Sequence, residues 1–140
     1  MPDLARIQPG LVGSAELTVA PEHTAPFVGS GAIAVLATPV MINLIEVAAL
    51  KAVEHLLPPG HQSLGTHLDV SHTAATPVGL WVIATAEVVA VEWRTITFRV
   101  AARDAVLQET PCPYRRIRLG QLSTRSLLSG LSRLSPAITM

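Results

Sequence analysis

The pattern of hydrophobic and polar positions predicts one long helix near the middle of the chain. Residues 39–57 are apolar on nearly all sides when placed at about 100° per residue. Thr38 is a suitable N-cap, Pro39 suits the first helical position, and a Pro-Pro-Gly run at 58–60 ends the helix. Its few polar positions form one arc: Asn43, Lys51, Glu54 and His55. A helix with so narrow a polar arc is normally central and wrapped by other structure.

Period-two alternation predicts a strand before this helix and several strands after it. The predicted strands are 14–20, 64–72, 80–91 and 94–103, with a weak fifth near 114–119. Pro111 and Pro113 weaken that fifth strand, and the stretch 21–37 is predicted to be loop with a short turn. This order predicts an α+β fold in which an antiparallel sheet curls around the helix. Such sheets often pair edge to edge in dimers.

Composition narrows the class of protein. The 140 residues correspond to one domain, and only 14% are charged, against about 25% in an average soluble protein. The hydrophobic fraction of 49% excludes a disordered chain. Ten acidic side chains balance ten basic ones, which argues against a nucleic-acid partner. Interior prolines and glycines interrupt the uncharged stretch 24–45, so no membrane helix is expected.

Cysteine usage and the N-terminal residues favour a cytoplasmic location. The single cysteine, Cys112, cannot form an internal disulfide, which fits a reducing compartment. The chain begins Met-Pro-Asp and shows no basic region followed by an apolar core, so no signal peptide is visible. We expect a soluble cytoplasmic domain that covers part of its apolar surface in a subunit interface.

Glu46 is the first residue with candidate chemistry. On the helical wheel its neighbours are apolar, so we expect its carboxylate to be largely desolvated: Ile42, Ala49, Leu50 and Val53. Burial raises the pKa of a carboxyl group and makes it useful as a base near neutral pH. The competing interpretation, a surface or salt-bridged glutamate, is about equally well supported by this pattern.

His72 and Thr38 are the other two candidates. His72 ends the predicted strand 64–72 and shares a face with Leu64, Leu68 and Val70, which directs it towards the core. A histidine in such a place is more often a hydrogen-bonded packing residue than a catalyst. The simplest role of Thr38 is to cap the helix, and a hydroxyl there also lies where the helix dipole favours developing negative charge.

Signals for a metal site are weak. His67 and Asp69 fall on one face of a predicted strand with His61 nearby, but no compact zinc-motif spacing is present. The sequence therefore predicts no metal site.

Three segments together carry a family resemblance. They are Ala37-Thr38-Pro39 through Leu44-Ile45-Glu46, then Ser63-Leu64-Gly65-Thr66, then Ser71-His72-Thr73-Ala74-Ala75-Thr76-Pro77-Val78-Gly79. In order and spacing they resemble the fluoroacetyl-CoA thioesterase-like family, which consists of hot-dog fold acyl-CoA thioesterases. The likeness covers residues 8–104, while residues 105–140 form a divergent C-terminal strand and tail.

The resemblance implies a single hot-dog domain over residues 1–140, a homodimer or dimer of dimers, and an active site at the subunit interface. The family's catalytic threonine, glutamate and histidine fall on Thr38, Glu46 and His72. The resemblance further implies hydrolysis of a short acyl-CoA without a metal or redox cofactor. The residues expected to contact this substrate are Val35, Pro39, Gly65 and Thr66.

Two alternatives remain open from the sequence. One is a hot-dog protein that binds acyl-CoA without turnover. The other is an enoyl-CoA hydratase of the same fold, although its usual Asp/His motif is not found. The loop before Thr38 is small and aliphatic (Gly31, Ala32, Ile33, Ala34), where the family's namesake is aromatic, so selectivity for a fluoroacetyl group is not expected.

Overall fold

The described residues form one antiparallel sheet with one long helix on its face. The computed structural model describes residues 4–72, 75–105 and 117–128, the last stretch and residue 105 as backbone alone. The strands are β1 (Val12–Thr18), β2 (His61–Val70), β3 (Trp81–Glu92), β4 (Thr95–Ala105) and β5 (Ile117–Leu128). The helices are the short α1 (Ala25–Val28) and the long α2 (Thr38–Val53), with 3₁₀ turns at Pro21–His23 and Glu54–Leu56.

The strand order in the sheet is β1-β3-β4-β5-β2, and every neighbouring pair is antiparallel. β1 and β2 are therefore the two edge strands. Among the described strands β2 pairs with β5 alone, with a register shift between Gly65 and His67. One helix against an antiparallel sheet is the predicted α+β arrangement, so the fold-class prediction is confirmed.

The hydrophobic core lies between α2 and the β1, β3 and β4 part of the sheet. Alternate residues of β3 and β4 face the helix and are buried, with Phe98 and Ile96 wholly enclosed. On the helix side the buried residues follow helical spacing: Met41, Leu44, Ile45, Ala48, Ala49, Ala52 and Val53. Each large apolar side chain enclosed in this way stabilises the fold by about 1.5–3 kcal/mol.

Small residues let α2 approach β1 very closely. A Cβ atom added at Gly13 would collide with the carbonyl oxygen of Ala48 and lie 2.6 Å from the backbone nitrogen of Ala52. The helix presents only alanines at this point, so backbone packs directly on backbone. This contact fixes the position of α2 along the sheet.

Several element boundaries differ from those predicted. The long helix begins at Thr38 rather than Pro39, and its regular part ends at Val53, where a 3₁₀ turn takes over. The strand predicted at 64–72 runs from His61 to Val70. The weak fifth strand is present but lies at Ile117–Leu128, so part of the predicted 114–119 falls outside the described residues.

β2 is exposed because α2 does not cover it. Leu64 is 57% exposed and Leu68 is 37% exposed, and most other β2 side chains are also accessible. The register shift changes which face of the sheet the side chains after it lie on. Leu68 and Phe98 pair with the same residue of β5, whereas Leu64 shares its β5 partner with Thr95. Leu68 thus lies on the helix side of the sheet and Leu64 on the other side. The prediction that both lie on one face was wrong for this reason.

Among the described helices, none combines the length and the apolar character that crossing a membrane requires.

Candidate active site

Three backbone segments meet beside the start of α2. The segment Val35–Ala37 lies between two others, with Ala37 N–H donating to the His23 carbonyl (2.9 Å) and Leu36 N–H donating to the Thr76 carbonyl (2.7 Å). Isolated bridges join Thr24 to Leu36 and Val35 to Pro77. These bonds hold the chain on both sides immediately before Thr38, so the first helical turn has a fixed position.

Thr38 and His72 are in direct contact. The hydroxyl oxygen of Thr38 lies 2.8 Å from Nδ1 of His72, and the tautomer of the ring decides which of them donates. His72 follows the end of β2 and is half-buried, whereas Thr38 is exposed. The chain thus brings together two of the three predicted catalytic residues, which lie 34 positions apart in the sequence.

The prediction that Thr38 caps the helix was wrong. Ala37 occupies the N-cap position, no side chain caps this end, and Thr38 is the first helical residue. A side chain caps a helix from the residue before the first helical one, and Thr38 lies one position too late for that. Its hydroxyl is therefore available to the histidine ring.

The Thr38–His72 pair opens into a shallow depression of about 260 Å³. Mostly small or apolar residues line it: Ala25, Ser30, Val35, Leu36, Ala37, Thr38, His72 and Ala75. The N-terminus of α2 points its partial positive charge towards this space, which favours an anionic group or a developing oxyanion. An apolar wall beside such an electrostatic field suits a small acyl group whose carbonyl oxygen becomes negative.

Glu46 stands apart from that pair within one chain. It lies eight residues after Thr38 on α2, which is ~12 Å along the helix axis. Its side chain is half-buried between the equally half-buried Ile42 and Leu50, and it makes no hydrogen bond or ion pair with another described residue. The expected desolvation of Glu46 is thus only partial in a single chain. The row Ile42–Glu46–Leu50 is a half-buried strip along the helix.

Comparison with known proteins decides the family. The model of the family described as FlK, fluoroacetyl-CoA-specific thioesterase, matches residues 19–108. This chain belongs to that family.

A curated relative supports the same family assignment. A fluoroacetyl-CoA thioesterase of Streptantibioticus cattleyicolor is 50% identical over 72 residues, which is 51% of this chain. The alignment covers 52% of that enzyme, so the chain spans about half the length of this curated relative.

Solved structures match over much more of the chain. A structure of the fluoroacetyl-CoA thioesterase FlK aligns with a TM-score of 0.82 at 30% identity, over 96% of this chain and 98% of that one. A hot-dog-like protein from Thermanaerovibrio acidaminovorans aligns with a TM-score of 0.75 at 19% identity, over 91% of this chain and 89% of that one. The fold is therefore the hot-dog fold, as the sequence resemblance implied.

The four residues expected to contact substrate fall in two places. Val35 lines the depression and Pro39 is exposed in the first turn of α2. Gly65 and Thr66 lie at the register shift of β2 and are exposed on the edge strand. Within the described part of one chain, Val35 lines the depression beside Thr38 and His72, whereas Pro39, Gly65 and Thr66 do not.

Sequence reasoning missed two buried polar residues near this site. The Thr76 hydroxyl donates to the Oδ2 atom of Asp104 (2.7 Å), and each residue is only 4% exposed. The signal was available, because Asp104, the last residue but one of β4, is in phase with Ile96, Phe98 and Val100 and so falls on the buried face. No cluster of three metal-ligating side chains occurs among the described residues, which leaves His61, His67 and Asp69 without a common centre.

Proposed function

We propose that this protein is an acyl-CoA thioesterase that uses Thr38, Glu46 and His72. The observation that carries the proposal is the Thr38–His72 contact at the N-terminus of the central helix, in a chain of the fluoroacetyl-CoA-specific thioesterase family. A hydroxyl and an imidazole joined in this way can orient a thioester and move a proton at neutral pH.

The reaction needs one base, one proton donor and one oxyanion site. Glu46 either removes a proton from a water molecule that attacks the thioester carbon, or attacks that carbon itself, and the C–S bond breaks after the tetrahedral intermediate forms. In the second route, water then hydrolyses the acyl–Glu46 anhydride, which releases the acid and restores the carboxylate. His72 orients this step and stabilises or protonates the leaving CoA thiolate. Backbone N–H groups near the start of α2 or at Gly65 stabilise the oxyanion. The products are a carboxylic acid and CoA, and we propose that no metal or redox cofactor takes part.

We also propose that the working unit is a homodimer joined through β2. Two observations support this: β2 is an exposed edge strand, and the strip around Glu46 is partly uncovered in one chain. In an antiparallel pairing of two β2 strands, the end of one lies beside the beginning of the other. Because Thr38 and Glu46 are ~12 Å apart along one helix, we expect Glu46 of the partner subunit to complete the site beside Thr38 and His72.

The substrate that we propose is a short-chain acyl-CoA in the cytoplasm. The depression beside Thr38 is small, and most of the residues that line it are alanine, valine or leucine. Ala32 and Ala34 in the preceding loop are exposed and offer no aromatic surface to a fluorinated group. We expect kcat/KM for acetyl-CoA to lie within about tenfold of that for fluoroacetyl-CoA, since a single small substituent changes apolar binding little.

Thiol release from a panel of short acyl-CoAs tests this function. Wild type is compared with Glu46→Gln and His72→Ala, and each substitution should lower kcat by about 10²-fold or more. Glu54→Gln and His55→Ala, both exposed beyond the end of α2, are the matched controls and should leave kcat unchanged. Equal rates in wild type and both site variants would refute the assignment.

The same panel separates the two alternatives. Thermal stabilisation by acyl-CoA without any thiol release indicates a binding protein. Hydration of crotonyl-CoA without thiol release indicates a hydratase.

A further inference from the structure

Asp104 is a buried acidic residue that the proposed reaction does not use. It lies at the end of β4 on the face that carries Phe98 and Val100, opposite Val82 of β3, and only 4% of it is exposed. Its Oδ2 atom accepts the Thr76 hydroxyl, while its Oδ1 atom has no partner among the described residues. A carboxylate is costly to bury, so a site that retains one under an otherwise apolar layer needs a reason.

Thr76 connects this carboxylate to both halves of the site. Its hydroxyl donates to Asp104, and its carbonyl accepts the N–H of Leu36 at 2.7 Å. Leu36 lies two residues before Thr38, and Thr76 lies four residues after His72. A single residue thus joins the segment that ends in Thr38, the segment that begins with His72, and strand β4.

The hydrogen bonds of Thr76 to Asp104 and to Leu36 restrict the positions of the segment before Thr38 and of the segment after His72. β4 is a central strand, paired with β3 on one side and β5 on the other. Through Thr76, the loops that carry Thr38 and His72 are attached to this rigid part of the sheet. Without the bond from the Thr76 hydroxyl to Asp104, the Leu36–Thr76 backbone bond and the Val35–Pro77 bridge still join the two segments to each other, but this attachment to β4 is lost.

We propose that Asp104 and Thr76 are positioning residues that hold His72 against Thr38. This rests on the proposed thioesterase function, and neither residue touches the substrate. The bond from the Thr76 hydroxyl to Asp104 keeps the ring of His72 in the orientation in which Nδ1 meets the Thr38 hydroxyl.

Substitutions at Thr76 test the proposal. Thr76→Val keeps the shape of the side chain and removes the hydroxyl, and it should lower kcat about tenfold, because small misplacements of catalytic groups cost rate steeply. KM should stay within about twofold, since no substrate contact is lost. Thr76→Ser restores the hydroxyl and should restore kcat. Asp104→Ser shortens the acceptor and should reproduce the loss if Thr76→Val fails to fold.

A spectroscopic measurement separates positioning from simple stabilisation. Long-range ¹H–¹⁵N spectra of the His72 ring, assigned with His72→Gln, report its tautomer and its Nδ1 contact without any substrate. We expect the His72 signals to shift in Thr76→Val and Asp104→Ser and to return in Thr76→Ser, with all kinetics measured well below each variant's Tm. Wild-type kcat and unchanged His72 signals in a folded Thr76→Val or Asp104→Ser protein would overturn the proposal. A wild type that hydrolyses no acyl-CoA refutes the thioesterase function instead, and the spectra still decide the positioning role.

Discussion

Thr38 shows how one residue's place in a helix decides its chemistry. As the first helical residue, it contributes its hydroxyl to His72 rather than to the backbone N–H groups of α2. The helix start is held instead by backbone bonds of Val40 and Met41 to the Ala37 carbonyl. The hydroxyl can therefore be changed without removing a cap from the helix.

Thr38→Val should accordingly affect rate more than stability. Loss of the hydroxyl removes the hydrogen bond to His72, and we expect kcat for the best acyl-CoA to fall by about 10- to 100-fold. Tm should change little, because the residue is exposed and caps nothing. Thr38→Ser keeps the hydroxyl and should retain most of the activity. Thr18→Val, at an exposed end of β1, is the control, and an unchanged kcat in Thr38→Val would contradict the role given to Thr38.

At the scale of elements, the contact between α2 and β1 depends on one glycine. The backbone of Ala48 and Ala52 fills the space where a side chain at Gly13 would lie. Gly13→Ala should lower the free energy of unfolding by about 1–3 kcal/mol, because backbone cannot move aside as a flexible side chain does. Chemical denaturation measures this change. Gly31→Ala is the control, since its added Cβ would meet only the Ala25 methyl group at 3.4 Å.

A Gly13→Ala protein as stable as wild type would show that α2 can shift along the sheet. The control should stay within about 0.5 kcal/mol of wild type, as exposed substitutions usually do.

The sequence was sufficient to predict those helices and strands in which the apolar positions are also the buried ones. β3 and β4 alternate cleanly because one face of each packs on α2, and the helix was visible because it is long and apolar. β5 was only weakly predicted and was placed too early. Its serines and its glycine at position 120 give little strand signal, and pairing with β4 and β2 makes it a strand.

The site was predicted as residue identities rather than as geometry. Thr38 and His72 were found on local patterns and on family motifs, but their contact depends on how two loops meet, which no local pattern contains. The face of Leu64 was predicted wrongly because a bulge cannot be read from alternation. Asp104 was missed because a lone acid at the end of a strand looks like a solvent-exposed terminus.

At the scale of the whole molecule, the two edge strands differ in length and in the exposed apolar side chains that a partner subunit could contact. β2 offers ten residues with exposed leucines on both faces, whereas β1 offers seven, with Val12 as its large exposed apolar residue. The double variant Leu64→Lys/Leu68→Lys should therefore dissociate the proposed dimer, while Val12→Lys should leave it intact. Sedimentation measured over a range of protein concentrations distinguishes the two. A dimer that survives both changes would place the interface elsewhere.

Mixing two inactive variants tests how the subunits share the site. If Glu46 of the partner subunit serves each Thr38–His72 pair, co-refolded Glu46→Gln and His72→Ala chains form heterodimers that contain one intact site. Random association makes half of the dimers mixed, so about a quarter of wild-type activity should return. Each variant refolded alone is the control. Recovery of no activity from the mixture would show that all three groups act within one chain.

The exposed edge of β2 also affects how readily the protein aggregates, both during purification and during synthesis in the cell. A strand of ten residues with no lysine and no proline lacks two common protections against indiscriminate strand pairing, and its bulge is the main one that it keeps. Protein concentration thus acts on this molecule in two opposite directions. If β2 forms the proposed dimer interface, high dilution uncovers this edge and the Tm should fall. During rapid synthesis, chains that have not yet paired in the proposed dimer expose the same edge to one another, so faster pairing should leave less of the protein to aggregate.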